Sequence, residues 1–132
     1  MLIDTNAVLA MLNRKDVNHE LVQPFIKQAF LVPMTIIPEV DYLATKYIGD
    51  HAARAFIKSL ARREKATLGF DQIDLERAHE VMNQYPDVPL GFVDASLVAL
   101  AERHQIQKIL TFDRRHFSLI RPKNLAYFEL LP

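Results

Sequence analysis

The stretch FVDASLVALAERHQIQKILTF, residues 92–112, decides the fold class of this chain. Residues 92–105 carry apolar side chains at helical spacing and predict a single helix. The apolar run at 109–112 is short and continuous, which is typical of a strand that is buried on both faces. A helix that is followed closely by a buried strand is the repeating unit of a parallel α/β sheet.

The same alternation extends outward to both ends of the chain. Residues 1–3 are apolar, end at Asp4 and predict a first strand that leads directly into a helix. We predict strands at 1–3, 31–37, 66–70 and 109–112, and helices at 7–12, 17–30, 38–48, 51–65, 72–84, 92–105 and 114–117. Apolar strands that alternate with helices favour a three-layer α/β sandwich around a parallel sheet. No repeat or linker divides the sequence, so we expect one domain.

The composition excludes several classes of protein. The chain has 132 residues, of which 50% are hydrophobic and 24% charged, so it can form an ordinary apolar core and is not globally disordered. It has no cysteine, which excludes disulfide frameworks, thiolate zinc sites and thiol nucleophiles. Its three glycines are too widely separated for a phosphate-binding glycine loop.

Charge and hydropathy limit the location and the partners of the protein. Sixteen basic and sixteen acidic residues cancel, so any attraction to nucleic acid has to be local. No uncharged run approaches the roughly 20 residues of a membrane-spanning helix. The N-terminus also lacks the basic segment of a signal peptide. We therefore expect a cytoplasmic protein.

Four acidic residues stand beside apolar segments, where an unpaired carboxylate is costly. Asp4 and Asp113 end predicted strands, whereas Glu39 and Asp94 open predicted helices. In a parallel sheet, strands end and the following helices begin at the same edge, which is where α/β proteins bind ligands. We therefore expect the four carboxylates to meet there, and oxygen-rich sites select magnesium or manganese.

Each acid also has a simpler structural explanation. Asp4 and Asp113 lie at positions that favour capping of the following helix. Glu39 and Asp94 lie in first helical turns, where the helix dipole favours negative charge. A clustered set of carboxylates more often marks function than four separate helix starts do. The residues alone leave a metal site and four structural acids about equally open.

Four segments of the chain resemble motifs of the PIN-domain family, and more narrowly the VapC toxins of bacterial toxin–antitoxin pairs. They are residues 2–6 (LIDTN), 38–40 (PEV), 89–97 (PLGFVDASL) and 111–117 (TFDRRHF), which stand in the order of the family. The resemblance implies a single PIN-like nuclease domain over residues 1–132. Its expected fold is a three-layer α/β/α sandwich around a mainly parallel, roughly five-stranded sheet.

The same resemblance implies an endoribonuclease that depends on Mg²⁺ or Mn²⁺, cuts RNA such as tRNA, and has a cognate antitoxin protein. It assigns catalysis and metal binding to four acids: Asp4, Glu39, Asp94 and Asp113. It assigns supporting hydrogen bonds to Asn6 and Thr111. A metal held by carboxylates supplies what phosphodiester hydrolysis needs, namely an activated water and neutralised phosphate charge. The alternative is a non-catalytic doubly wound signalling or RNA-binding module whose acidic cluster binds magnesium.

Basic residues on two predicted helices are candidates for RNA binding. Three of them recur every four residues and form one helix face, for which a solvated surface is the alternative: Arg54, Lys58 and Arg62. Arg114 and Arg115 follow the last of the four acids directly. The five histidines show no metal-binding spacing, and His116 is only a candidate for touching RNA. Surplus apolar residues on the helices at 17–30 and 38–48 predict a homodimer.

Overall fold

The computed structural model describes residues 1–132 as five short strands, seven helices and one 3-10 turn. In chain order they are β1 (Leu2–Ile3), α1 (Thr5–Leu12), α2 (His19–Ile26), β2 (Leu31–Pro33), the 3-10 turn (Met34–Ile36), α3 (Ile37–Tyr47), α4 (Asp50–Ala61), β3 (Ala66–Leu68), α5 (Gln72–Gln84), α6 (Phe92–Arg103), β4 (Lys108–Leu110), α7 (Arg114–Phe117) and β5 (Glu129–Leu131). The strands form one sheet in the order β3–β2–β1–β4–β5, and all neighbours are parallel. The predicted α/β fold with a five-stranded sheet is confirmed.

The core is built around the central strand and one buried helix. Leu2 and Ile3 of β1 have no solvent exposure and pair with β2 on one side and β4 on the other. In α6, every residue from Ala95 to Glu102 is buried, which is typical of a helix surrounded by other elements. The first turn of α6 therefore has a fixed position relative to the carboxyl end of β1.

The second strand is shorter than the sequence predicts. The apolar run at 31–37 is a strand only as far as Pro33, and residues 34–36 form the 3-10 turn. Proline has no backbone N–H, so it is a poor residue from which to continue a ladder. The following helix begins at Ile37, which places Glu39 in its first turn and beyond the end of the strand.

Two predicted helices are also shorter than their sequence patterns. The helix predicted at 17–30 is helical over His19–Ile26 and contains Pro24. The helix predicted at 51–65 covers Asp50–Ala61, because Arg63 adopts a left-handed φ of 58° that ends it. The chain then turns directly into β3.

The C-terminal strand has no counterpart in the sequence prediction. β5 pairs with β4 along its whole length, from Glu129 opposite Lys108 to Leu131 opposite Leu110. The Arg114 side chain holds it in place, because its Nη2 donates to the carbonyl oxygens of Leu130 at 2.6 Å and Pro132 at 2.7 Å. No helix of the protein is long and apolar enough to span a membrane.

Two ion pairs join α5 to α6, and the carboxylate of each pair is buried. Arg77 donates through Nε and Nη2 to the Glu102 carboxylate at 2.7 and 3.0 Å, and Arg103 donates similarly to Asp74 at 2.6 and 2.7 Å. Hydrogen bonding to Glu102 raises the pKa of Arg77. The Glu102 side chain is only 7% exposed, so its charge depends on Arg77 for compensation.

We expect the single substitution Glu102→Leu to lower the free energy of unfolding by about 3 kcal/mol, because it leaves the Arg77 guanidinium buried without its main partner. The double variant Arg77→Met, Glu102→Leu should recover much of that loss, since both charges are removed. Urea denaturation measures both values, with Glu76→Ala at an exposed position of α5 as the control. A double variant that is no more stable than the single variant would contradict this explanation.

Candidate active site

Four acidic side chains lie on four different elements at the carboxyl edge of the sheet. Asp4 follows β1 and caps α1, and Asp113 follows β4 and stands at the N-cap of α7. Glu39 and Asp94 lie in the first turns of α3 and α6. Asp4 is therefore a helix cap, as its structural explanation predicts. Capping alone does not explain why the other three carboxylates lie at the same edge.

Asp4 is the most buried of the four acids, with 4% of its surface exposed. Its Oδ1 accepts the backbone N–H of Thr5 at 2.7 Å. Its Oδ2 accepts the Thr111 hydroxyl at 2.8 Å and the Asn6 side-chain amide at 3.2 Å. The pKa of Asp4 is raised to about 6, mainly by burial and to a smaller extent by the charges of Asp94 and Glu39, while the hydrogen bonds from Thr111 and Thr5 oppose the increase.

Asn6 and Thr111 connect the start of α1 to the end of β4. The Asn6 Oδ1 accepts the backbone N–H of Phe112 at 2.9 Å, and its Nδ2 also contacts the Thr111 hydroxyl at 3.3 Å. The Thr111 Oγ1 in turn accepts the backbone N–H of Asp113 at 3.1 Å. The two residues predicted to support the site thus contact Asp4 directly. They also bind the backbone at Phe112 and Asp113, just before α7 begins.

Asp94 and Asp113 both approach the same ring nitrogen of His116. The Nδ1 atom of His116 lies 3.3 Å from Oδ2 of Asp94 and 3.5 Å from Oδ2 of Asp113. Burial raises the pKa of Asp94, and the charges of Asp113 and Glu39 raise it further, whereas the hydrogen bond and charge of His116 lower it. These mutual effects place all four carboxylates in one electrostatic neighbourhood.

His116 is the residue of this site that the sequence analysis missed. Its spacing of three residues from Asp113 on a helix places both side chains on one face, which is the only local signal available. Its contact with Asp94 joins α7 to α6, and no spacing along the chain predicts that contact.

The four acids differ from the predicted metal site in two respects. No group of three or more Asp, Glu or His side chains is arranged to hold a metal ion as it stands, and Glu39 is exposed to solvent. The donor atoms are nevertheless all carboxylate oxygens. The pKa values of Asp4 and Asp94 are raised, mainly because both side chains are buried and also because other acids lie nearby. This chemistry fits a hydrated divalent cation that relieves the repulsion.

The basic residues predicted to bind RNA divide into two groups. On and just after α4, three are exposed: Arg54, Lys58 and Arg62. Arg115 is exposed beside the acidic cluster. Arg114 already donates to the C-terminal strand, so its guanidinium has a structural role that the sequence does not indicate.

The fold and its acidic edge define an α/β protein of the class that binds ligands at the carboxyl ends of parallel strands. The model of the PIN domain matches residues 1–121, and the chain therefore belongs to the PIN-domain family. Ribonuclease VapC26 of Mycobacterium tuberculosis is 33% identical to it over 135 residues, which cover 100% of both chains. Ribonucleases of this VapC type are generally dependent on a divalent metal.

Two solved structures show the same fold. VapC20 of Mycobacterium tuberculosis, a sarcin–ricin loop cleaving toxin, matches with a TM-score of 0.76 and 19% identity over 82% of this chain and 85% of that one. VapBC2 of Rickettsia felis, bound to a DNA fragment from its promoter, matches with a TM-score of 0.71 and 14% identity over 99% and 98%. The recognition of the family from its four motifs is confirmed.

Without metal, Asp4 should make the protein less stable as the pH rises. Its folded pKa of about 6 lies above its ordinary value of 3.8, so the folded state binds the proton more tightly than the unfolded state. This contribution, on the order of 3 kcal/mol, is fully present below the unfolded pKa and is lost as the pH rises through about 6. Asp4→Asn removes the titration and should remove this part of the pH dependence.

Urea denaturation in EDTA between pH 4 and pH 8 measures this difference between the wild type and Asp4→Asn. Groups that do not interact with Asp4 contribute equally to both proteins, so the difference between the two curves reports Asp4 together with its coupling to Asp94 and Glu39. Parallel curves across the whole range would contradict the raised pKa of Asp4.

Proposed function

We propose that this protein is a divalent-metal-dependent endoribonuclease and the toxin of a VapBC-type toxin–antitoxin pair. It consists of one nuclease domain, residues 1–132, and acts on RNA in the cytoplasm. The observation that carries this proposal is the convergence of Asp4, Glu39, Asp94 and Asp113 at the carboxyl edge of the sheet, where burial is the main cause that raises the pKa of Asp4 to about 6. Carboxylates with perturbed pKa values that converge in one place more often mark a functional site than a structural one.

The comparisons support the same function. Ribonuclease VapC26 is related over the full length of both chains, so its activity is the first candidate for this protein. Toxin–antitoxin complexes from Klebsiella pneumoniae and Rickettsia felis share the fold. These relationships favour a nuclease with an antitoxin partner over an isolated enzyme.

The proposed roles of the acids follow from their positions. Asp4, Asp94 and Asp113 bind Mg²⁺ or Mn²⁺ directly or through water, and Glu39 completes a second cation position or orients the attacking water. Mg²⁺ retains several waters and is bound through one or two carboxylates together with substrate phosphates. The absence of a ready-made three-ligand group agrees with a cation that binds together with its waters and the RNA.

The chain's own residues position the reaction. A divalent cation at this edge supplies positive charge for the scissile phosphate and makes a nearby water a better nucleophile. The Thr111 hydroxyl and the Asn6 amide both bond Oδ2 of Asp4, so that the carboxylate has a fixed orientation before any ligand arrives. Preorganised groups of this kind do not need to rearrange when negative charge develops on the substrate.

The proposed partners are RNA, with tRNA as a candidate substrate, a cognate antitoxin protein and a second copy of the chain. Large apolar side chains are exposed on α2 and α3, where the sequence predicts a homodimer: Leu21 at 55%, Tyr42 at 64% and Tyr47 at 66%. Exposed apolar surface of this kind favours a protein partner. The exposed basic residues on α4 supply the local charge that RNA binding requires in a chain of zero net charge.

The alternative function is a non-catalytic signalling or RNA-binding module whose acidic cluster only binds magnesium. It predicts metal binding and RNA binding without cleavage. A cleavage assay therefore separates the two functions.

RNA cleavage should require Mg²⁺ or Mn²⁺ and should stop in EDTA. Asp94→Asn keeps the size of the side chain and should reduce the rate by orders of magnitude, because it removes a charged cation ligand. The same variant should melt at least as high as the wild type in EDTA, since burial and neighbouring acids raise the pKa of Asp94. Cleavage of total RNA and tRNA on gels, together with thermal melts, provides the measurements.

The control for that experiment is Glu76→Gln, which changes an exposed acid on α5 to its amide. It should cleave RNA like the wild type. Equal cleavage by the wild type with and without EDTA would exclude the metal-dependent mechanism.

The three exposed basic residues of α4 should bind the RNA backbone. Replacing Arg54, Lys58 and Arg62 by Gln in the Asp94→Asn background should weaken binding to all RNA sequences and reduce the salt slope by about two, because each single-strand phosphate contact contributes roughly 0.7. The matched control replaces three other exposed basic residues, Arg14, Lys15 and Lys27, by Gln. Filter binding at several salt concentrations distinguishes them, and equal slopes for both triple variants would identify α4 as an ordinary solvated surface.

A further inference from the structure

The imidazole of His116 lies between two of the acids assigned to cation binding. Its Nδ1 is 3.3 Å from Oδ2 of Asp94 and 3.5 Å from Oδ2 of Asp113. The contact with Asp94 has the geometry of a hydrogen bond, and Asp113 lies within ion-pair distance of the same nitrogen, so that one N–H at Nδ1 can serve both acceptors. The His116 side chain is only 15% exposed, so its ring is packed into the protein and does not lie free on the surface.

The geometry leaves half of each carboxylate free. His116 contacts only the Oδ2 atoms of Asp94 and Asp113, and the contact reduces the repulsion between the two acids. Their Oδ1 atoms remain available to a cation. A shared donor behind two carboxylates fixes the direction in which the free oxygens point.

The short helix α7 is anchored on both sides of His116. Arg114 is bonded to the carbonyl oxygens of Leu130 and Pro132, and Phe117 is 1% exposed in the core. The backbone that carries the imidazole is therefore fixed by β5 and by the core. Asp94 lies on the buried helix α6 and Asp113 at the N-cap of α7. His116 therefore links two carboxylates that belong to separately anchored helices.

We propose that His116 is a positioning residue, which holds Asp94 and Asp113 through their Oδ2 atoms so that their Oδ1 atoms bind the divalent cation together. The proposal rests on the proposed function for the identity of the ligand, a divalent cation. Hydrogen-bonding partners of metal ligands typically contribute 10- to 100-fold to metal affinity. Loss of the donor should therefore weaken cation binding, whereas a histidine that merely occupied the position of the cation would strengthen binding when removed.

The test is the affinity of the full-length protein for Mn²⁺ without RNA, measured by calorimetry and by the paramagnetic resonance signal of free Mn²⁺. His116→Phe keeps a ring in place but has no donor, and His116→Ala removes both. His116→Asn restores an N–H close to the position of Nδ1. His104→Ala is the matched control, because His104 is exposed at the opposite end of α6 from Asp94.

We expect His116→Phe and His116→Ala to bind Mn²⁺ about 10- to 100-fold more weakly than the wild type. His116→Asn should stay within a few-fold of it, and His104→Ala should be unchanged. Melting curves in EDTA verify that each variant is folded. Equal or tighter Mn²⁺ binding by a folded His116→Phe or His116→Ala would overturn the proposal.

RNA cleavage by the wild type, assayed in parallel, separates this proposal from the proposed function. If the wild type cleaves RNA but the wild type and His116→Phe bind Mn²⁺ equally well, the nuclease function stands and the positioning role of His116 is wrong. If Mn²⁺ binding depends on His116 but no RNA is cleaved, the positioning role of His116 stands and the nuclease function is wrong. A wild type that binds no Mn²⁺ overturns this proposal, and it overturns the proposed function as well if it also cleaves no RNA.

Discussion

The burial of the Asp4 carboxylate at the end of the central strand is the constraint on which the rest of the site depends. The Thr111 hydroxyl donates to it at 2.8 Å from the end of the neighbouring strand, and the same oxygen of Thr111 accepts the backbone N–H of Asp113. One side chain thereby sets the orientation of two acids. Burial costs the ionised form of Asp4 free energy, and a cation bound at this edge would offset that cost.

The predictable part of the structure is the part determined by local pattern and chain topology. The strand-to-helix junctions at Asp4 and Asp113 follow from apolar runs that end in an acid, and parallel pairing then brings both residues to one edge. The family motifs supply the contacts of Asn6 and Thr111, which composition and spacing do not contain. These assignments depend on neighbours in sequence or on the ends of adjacent strands.

The missed features depend on contacts between distant segments. β5 is a short strand whose pairing is completed by the Arg114 side chain, so its sequence resembles an ordinary apolar terminus. The run after Leu31 is β-branched like a strand, but Pro33 ends the ladder and the chain turns instead. His116 acquires its environment only when α7 packs beside the first turn of α6.

The divalent-cation site that we propose at the carboxyl edge of the sheet is built from these acids. Anomalous X-ray scattering from crystals soaked in Mn²⁺ tests it most directly, because the signal locates the ion without reference to activity. The account predicts a peak among Asp4, Asp94 and Asp113 in the wild type and a weaker peak, or none, in crystals of Asp94→Asn. A wild-type peak at another surface, or a peak at this edge that is unaffected by Asp94→Asn, would contradict it.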